Sequence, residues 1–367
     1  MIVPVILCGG AGVRLWPAST PDHPKQFIAL IGERSLFQQA VMRVSAIAGA
    51  SAPLIVVGVD LLTIARAQLD EIGVSATLLA EPQGRDSGPA LLAAAMWIAR
   101  KDPSAIVVAV ASDHDIPDLD AFCACAATAA VAAGGGDIVT FGVRPDRPAG
   151  QYGYIEPGEA IGGTGGLRRI VRFIEKPDAE RAARLITAGA LWNSGNFVFR
   201  VDAFLAEAMA HAPAMVSTVA KAVDTASVNA GEAALGACFS LAEKSSIDVA
   251  LMEKTARAAV LPIDYAWSDL GSWRAVWAAS PRDADGNAIT GAGAAWKSRD
   301  CLVRADAGIR IVAVGLKNVG IIVVGGMVLV CDLDAGGEMK QALEAAAGSG
   351  AALDEANSIC PREPPQP

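Results

Sequence analysis

Short apolar runs alternate with segments of helical period through the first half of this chain, and few folds admit that alternation. It is the pattern of a parallel sheet covered by helices. Residues 3–8, 54–59, 77–80, 106–111 and 138–143 read as strands. Between them Ser35 opens a helix ending near Gly49, and Asp60 caps one ending at Gly73. Residues 88–100 form a third helix and residues 118–134 an alanine-rich fourth. From 150 to 166 the chain turns glycine-rich, and strands at 167–175 and 196–201 follow, so an insertion elaborates one side of the sheet. Helices return over 203–254. Past Ser280 short Val-, Ile- and Gly-rich runs continue to Leu333, with a last helix at 339–347 and an end, 361–367, expected to fray. The architecture expected is α/β: a doubly wound domain over residues 1–280 and a small β-rich appendage with a terminal helix over 281–367.

Composition narrows the partners. Lys and Arg number 30 against 39 Asp and Glu, a net charge of −9 without a basic tract, so a nucleic-acid backbone is not an expected ligand. Mean hydropathy is high, +0.39, yet alanine supplies much of it, and the apolar runs fall short of the ~18 residues that span a bilayer. No membrane segment is expected. The N-terminus has no basic leader and runs into a glycine loop, so it reads as a first strand and the product as cytoplasmic. Seven cysteines, none in a Cys-x-x-Cys pair, suit reduced thiols better than disulfides or zinc.

In an open parallel sheet, ligands sit beyond the carboxyl ends of the strands. The first such loop reads Leu7-Cys8-Gly9-Gly10-Ala11-Gly12-Val13-Arg14, followed by Pro24-Lys25-Gln26-Phe27. Glycines let backbone N–H groups converge on an anion, and Arg14 and Lys25 supply charge to a polyphosphate. Neither the Walker pattern nor Gly-x-Gly-x-x-Gly is met. A second loop, Ser112-Asp113-His114-Asp115, places a carboxylate where Mg²⁺ could be held, and Asp269 precedes a late helix. Phe173-Ile174-Glu175-Lys176-Pro177 and Trp192-Asn193-Ser194-Gly195 combine carboxylate, cation and amide in the way sugars and sugar phosphates are bound. Each has an ordinary reading as well: a glycine turn, a loop turn, a helix cap, an exposed ion pair. With three histidines in the chain, His114 reads as structural, and the tryptophans serve equally well as core.

Taken together and in order, these segments resemble the mannose-1-phosphate guanylyltransferases of the sugar-nucleotidyltransferase superfamily. The residues that carry the resemblance are Gly9 to Pro17, Pro24 to Phe27, Glu81-Pro82-Gln83-Gly84-Arg85, Ser112-Asp113-His114, Tyr152-Gly153-Tyr154-Ile155, Phe173 to Pro177, Trp192 to Gly195, and Trp267-Ser268-Asp269-Leu270-Gly271-Ser272-Trp273. The resemblance implies a Rossmann-like mixed-sheet nucleotidyltransferase domain and Mg²⁺. The implied reaction joins GTP and mannose 1-phosphate to give GDP-mannose and pyrophosphate. It implies that Gly9, Gly10 and Gly12, with Arg14 and Lys25, hold the triphosphate, and that Asp113 and Asp269 bind the metal. Glu175 and Asn193 then resemble sugar-hydroxyl ligands, Lys176 the sugar-phosphate contact and Gly153 a close backbone approach to the sugar. Glu81 and Arg85 lie on the base and ribose side, and Ser112 lines the substrate site.

The sequence also departs from that pattern. Arg85-Asp86-Ser87-Gly88 stands where such proteins often read Arg-Asn-Thr-Ala, and Gly150-Gln151 where Thr-Gly is usual. Val324-Gly325-Gly326-Met327-Val328 replaces a more polar stretch. No room is left for the isomerase domain of longer relatives, so a monofunctional enzyme is expected. A different sugar 1-phosphate or nucleotide, or an inactive sugar-nucleotide sensor, are the rival readings, and a homodimer is one option for assembly. The chemistry suits a chain poor in histidine: the attacking oxygen belongs to a phosphate already anionic near neutral pH, so no general base is needed.

Overall fold

The computed structural model describes residues 1–10, 13–163, 165–229 and 231–348. Two compact units divide the chain: Met1–Ala11 with Asp22–Leu270, and Gly12–Pro21 with Gly271–Pro367. This division differs from the expected boundary at 280 by residues 271–280 and by the short segment 12–21. Gly12 and the terminal segment 361–367 lie outside the described residues.

The first unit is built on an 11-stranded mixed sheet. Strands β1 (Ile2–Cys8), β2 (Leu54–Gly58), β3 (Thr77–Glu81) and β4 (Ile106–Ala111) pair in parallel in the order β4-β1-β2-β3. Their side chains alternate between two cores. Val3, Val5, Val56 and Val107 face one layer, whereas Ile6, Ile55, Val57 and Val108 face the other, as a period of two requires. Helices cover both faces. On one side α1 (Leu36–Ser45) and α4 (Leu119–Gly134) contribute Phe37, Val41, Phe122 and Ala126, and α2 (Leu62–Glu71) contributes Leu69. On the other lies α3 (Ser87–Ala99), with Leu91 and Ala94. Ser35 caps α1 through a capping box with Gln38, and Asp118 caps α4 by accepting from the Ala121 N–H. Asp60, expected as a cap, instead lies inside a 3-10 turn, Val59–Leu61, that delays the helix by one more residue.

Beyond β4 the sheet turns mixed. Strands β5 (Ile138–Val143), β6 (Tyr154–Ala160), β7 (Arg168–Ile174) and β8 (Leu191–Arg200) follow, with α5 (Ala179–Thr187) before β8. β8 runs antiparallel to both β4 and β5, and its first residues also pair with β6. It begins five residues before the expected 196, because Leu191 and Trp192 pair with β6 and Trp192 and Asn193 with β5, ahead of an irregularity at Ser194-Gly195 where Gly195 has φ +72°. The helical stretch expected over 203–254 stops early. Only α6 (Val201–His211) and α7 (Pro213–Asp224) are regular, and β9 (Ser227–Asn229) and β10 (Glu232–Ala234) then extend the sheet beside β3. Strand β11 (Ala258–Ile263) was not expected at all, since Ala-Ala and a proline argue against a strand. It lies parallel to β5, while its pairing with β7 ends at Val260, so Pro262 has no donor to supply on that side.

In the second unit α8 (Trp273–Ala279) is capped by Ser272, and the Trp273 indole N–H donates to the Trp16 carbonyl at 2.9 Å. The expected β appendage is a small parallel coil. Strands β12 (Ala288–Thr290), β14 (Leu302–Arg304) and β16 (Val319–Val324) stack along one side, with β17 (Met327–Asp332) antiparallel at the edge. β13 (Ala292–Trp296) and β15 (Arg310–Val314) stack along another, and α9 (Met339–Gly348) follows. Six cysteines among the described residues are free, and burial pushes the Cys8 thiol up to about 12.

Phe122 is fully buried, with the Phe141 ring 6.2 Å and the Tyr265 ring 6.4 Å away. Phe122→Ala is expected to cost about 3–5 kcal/mol by urea unfolding, against about 1 kcal/mol for removing the Asp118 cap.

Candidate active site

Lys25 follows Pro24 in a 3-10 turn beyond β1 and is 8% exposed. An ammonium so far from water needs acceptors. It has two: the Asp113 carboxylate at 2.8 Å and the Asp269 carbonyl at 2.6 Å. These partners come from loops far apart in sequence, and a backbone exchange joins the loops. Asp115 N–H donates to Ser268 O at 2.9 Å, and Ser268 N–H donates back to Asp115 O at 3.0 Å. Burial by itself would push the Asp113 carboxyl up, but Lys25 and His114 outweigh it and hold the carboxyl below its usual range. Asp269 is not the cap of the late helix, a role that Ser272 fills. Its Oδ1 accepts from the Tyr152 hydroxyl at 2.7 Å, a partner to which the motifs assign no role.

His114 is buried edge-on to Trp267, with ring centroids 5.1 Å apart. The Trp267 indole donates to Nδ1 at 3.3 Å, so the neutral tautomer assigned by this bond carries its proton on Nε2, which lies 3.9 Å from Asp113 Oδ1. Burial keeps His114 below its ordinary range. That is a packing and orienting role, as expected from sequence.

A second group gathers at the same carboxyl edge of the sheet. Glu175 Oε1 pairs with Lys176 Nζ at 2.7 Å, and the Lys176 side chain is 64% exposed. A side chain at Gly153 would place its Cβ 2.8 Å from Glu175 Oε2 and 3.0 Å from the Phe173 ring, so any larger residue would displace Glu175 and crowd that ring. The Gly153 carbonyl accepts from Asn193 N–H at 2.8 Å. The Asn193 amide is held at both ends: Thr140 Oγ1 donates to its oxygen at 2.7 Å, and its nitrogen donates to Asp248 Oδ1 at 3.0 Å. Asp248 was missed by the sequence reading; its one signal is an acid standing inside the apolar run Ile247 to Leu251.

The remaining expected residues are more scattered. Glu81 ends β3, is buried, and burial pushes its carboxyl up to about 7. Arg85 donates to Gln83 Oε1 at 2.9 Å. Gly10 has φ +98°, which requires glycine, and its carbonyl accepts from Gln26 at 3.5 Å; Gly9 is exposed. Ser112 is fully buried, its N–H bonded to Leu7 O at 3.1 Å. Arg14 belongs to the second unit, exposed in the 3-10 turn Val13–Leu15.

A family model described as nucleotidyl transferase matches residues 3–286. The chain belongs to the nucleotidyl transferase family. Among relatives of this nucleotidyl transferase, a mannose-1-phosphate guanylyltransferase of Sinorhizobium fredii is 42% identical over 82% of this chain, which spans 59% of that relative's length. One named mannose-1-phosphate guanylyltransferase from Escherichia coli is 34% identical over 94% of the chain and 74% of the relative. A solved structure described as mannose-1-phosphate geranyltransferase, from Thermus thermophilus, superimposes with a TM-score of 0.82 at 30% identity, covering 94% of this chain and 98% of that one. Among the described residues no helix is long and apolar enough to cross a membrane.

Glu81 links the site to stability. Its ordinary value is 4.5 and its folded value about 7, so between them the unfolded chain ionises while the folded one stays neutral. Stability falls as pH rises through that window. Glu81→Gln removes the effect: relative to wild type it should gain up to roughly 3 kcal/mol between about pH 4.5 and pH 7. Urea unfolding at a series of pH values checks this; a difference that does not vary with pH contradicts it.

Proposed function

We propose that this chain transfers GMP from GTP to mannose 1-phosphate, giving GDP-mannose and pyrophosphate. The observation that carries the reading is the buried Lys25 ammonium held between the Asp113 and Asp269 loops at the carboxyl edge of the sheet. That is where an α/β sheet binds nucleotides, and the names of the relatives supply the substrates.

In-line attack of the sugar phosphate on the α-phosphate needs charge neutralisation and alignment. Lys25 acts on the triphosphate, with the backbone N–H groups around Gly9 and Gly10 beside it, and Arg14 is the further cation that the resemblance assigns to it. Lys176 holds the attacking phosphate, Glu175 and Asn193 take the sugar hydroxyls, and Gly153 lets the ring approach the backbone. Asp113 and Asp269 are hard oxygen donors, and Mg²⁺ takes one or two carboxylates together with substrate phosphates, so the residues fit that ion. The described residues contain no cluster of three or more metal-binding side chains, which such a two-carboxylate site does not need. When bound, Mg²⁺ would neutralise charge on the phosphates. Tyr152 orients Asp269, and Lys25 keeps Asp113 ionised. On the base side Glu81 is the acceptor suited to the N1–H and N2–H₂ donors of guanine.

Pyrophosphate release tests the reaction, with GTP set against ATP, UTP and dTTP, and mannose 1-phosphate against glucose 1-phosphate. GTP with mannose 1-phosphate should be the best pair and should require Mg²⁺. Faster turnover of ATP or UTP would remove guanine specificity, and nucleotide binding without any pyrophosphate release would favour a sensor.

The two lysines serve different substrates. Lys176→Ala should raise KM for the sugar phosphate, and Lys25→Ala should raise KM for GTP, each by about ten- to a hundredfold for a lost charge-assisted contact. Steady-state kinetics in which both variants are equally impaired toward both substrates would contradict separate roles.

A further inference from the structure

Asp248 opens a wide turn with i→i+5 hydrogen bonding, Asp248–Met252, a geometry frequent at functional sites. Its Oδ1 accepts from Asn193 Nδ2 at 3.0 Å. The orientation of that amide is determined, because Asn193 Oδ1 already takes Thr140 Oγ1 at 2.7 Å and the Gly195 N–H at 3.2 Å. The Thr140 hydroxyl shares its one proton between this oxygen and Asn196 O, 2.9 Å away, the Gly195 N–H fixes the amide's direction, and one amide N–H is left to offer. A ligand that reaches Asn193 therefore meets a donor. Sugar hydroxyls also donate, and their acceptors must come from elsewhere in the site.

Glu175 and Lys176, assigned above to such a ligand, both act electrostatically on Asp248. Burial first, then the nearby Glu175 and Asp86 carboxylates, push its carboxyl up to about 7, and Lys176 opposes them. Two carboxylates near enough to interact at a half-buried position repel. Among the described residues, no other side chain donates to the second Asp248 oxygen. The Asp248 backbone N–H also bonds this carboxylate, and a carboxylate has about four lone-pair sites, so acceptor capacity is left for a ligand.

We propose that Asp248 selects the sugar, its second carboxylate oxygen accepting a hydrogen bond from one ring hydroxyl of the sugar 1-phosphate while the first holds Asn193 as a donor. This rests on the sugar-phosphate reading given above and adds to it a specificity residue. Acceptors on Asp248 and Glu175 and a donor on Asn193 would together read the pattern of hydroxyls around the ring. A site that hydrogen-bonds a substrate hydroxyl rejects an analogue lacking it, because its own polar group is left unpaired.

Asp248→Asn tests this with little change of shape. Its carbonyl oxygen can still accept from Asn193, and the second oxygen becomes an NH₂ group, which cannot accept. Steady-state kinetics are measured with mannose 1-phosphate and with the monodeoxy analogues, one for each ring hydroxyl. The variant should melt as wild type does, keep KM for GTP within about twofold, and raise KM for mannose 1-phosphate about ten- to a hundredfold. One monodeoxy analogue, poor with wild type, should be used by the variant about as well as mannose 1-phosphate itself, since the hydroxyl it lacks no longer has an acceptor. Asp248→Ser provides a second measure if the asparagine variant is unstable. An unchanged KM for mannose 1-phosphate, or every analogue penalised in the variant by the same factor as in wild type, would overturn the contact. Wild-type protein that turns over no sugar 1-phosphate would instead overturn the underlying reading of function, and the proposal with it.

Discussion

The buried ammonium of Lys25 is the interaction on which the candidate site depends. It draws together the segment after β1, the loop after β4 and the segment after β11, three stretches that share no local sequence. Removal of the charge would leave Asp113 buried without its main counter-ion, at a position where burial alone already pushes the carboxyl upward. The same contact that closes these loops therefore keeps Asp113 ionised. A site held in this way has its charges oriented before substrate arrives, so little reorganisation is left for the reaction.

The second cluster depends on sheet direction. Because β8 runs antiparallel to β4 and β5, its first residues lie at the carboxyl edge of the parallel strands, and Asn193 arrives beside the Asp113 loop instead of at the far end. The Asn193 N–H bond to Gly153 O then draws the segment before β6 against it, and β7 delivers Glu175 to the space that Gly153 leaves open. Cation and carboxylate clusters thus meet at one edge of one sheet. A uniformly parallel arrangement would have placed the start of β8 at the opposite edge.

Much of this could be read from sequence where the cause is local. The apolar runs of β1 to β5, the capping box at Ser35 and the Asp118 cap depend on neighbours a few residues away, and the structure has them. The expected Asp60 cap failed for a local reason too, since a 3-10 turn displaced the helix start. Strand β11 could not be read, because Ala258-Ala259 and Pro262 have little strand propensity of their own and are extended by pairing with β5.

The site divides along the same line. Lys25, Asp113, Glu175, Lys176, Asn193 and Asp269 stand in motifs, and residue type alone determined that this chain carries charges and amides suited to phosphate and sugar. Tertiary structure decided what those charges meet: that Asp269 turns its carbonyl to Lys25 and its carboxylate to Tyr152, and that Asp248, an acid in an apolar run, orients Asn193. The physical reason is range. Propensity and capping act within a turn or two of the chain, whereas a hydrogen bond between Asn193 and Asp248 exists only because packing of the sheet and its covering helices brings the two side chains within 3.0 Å.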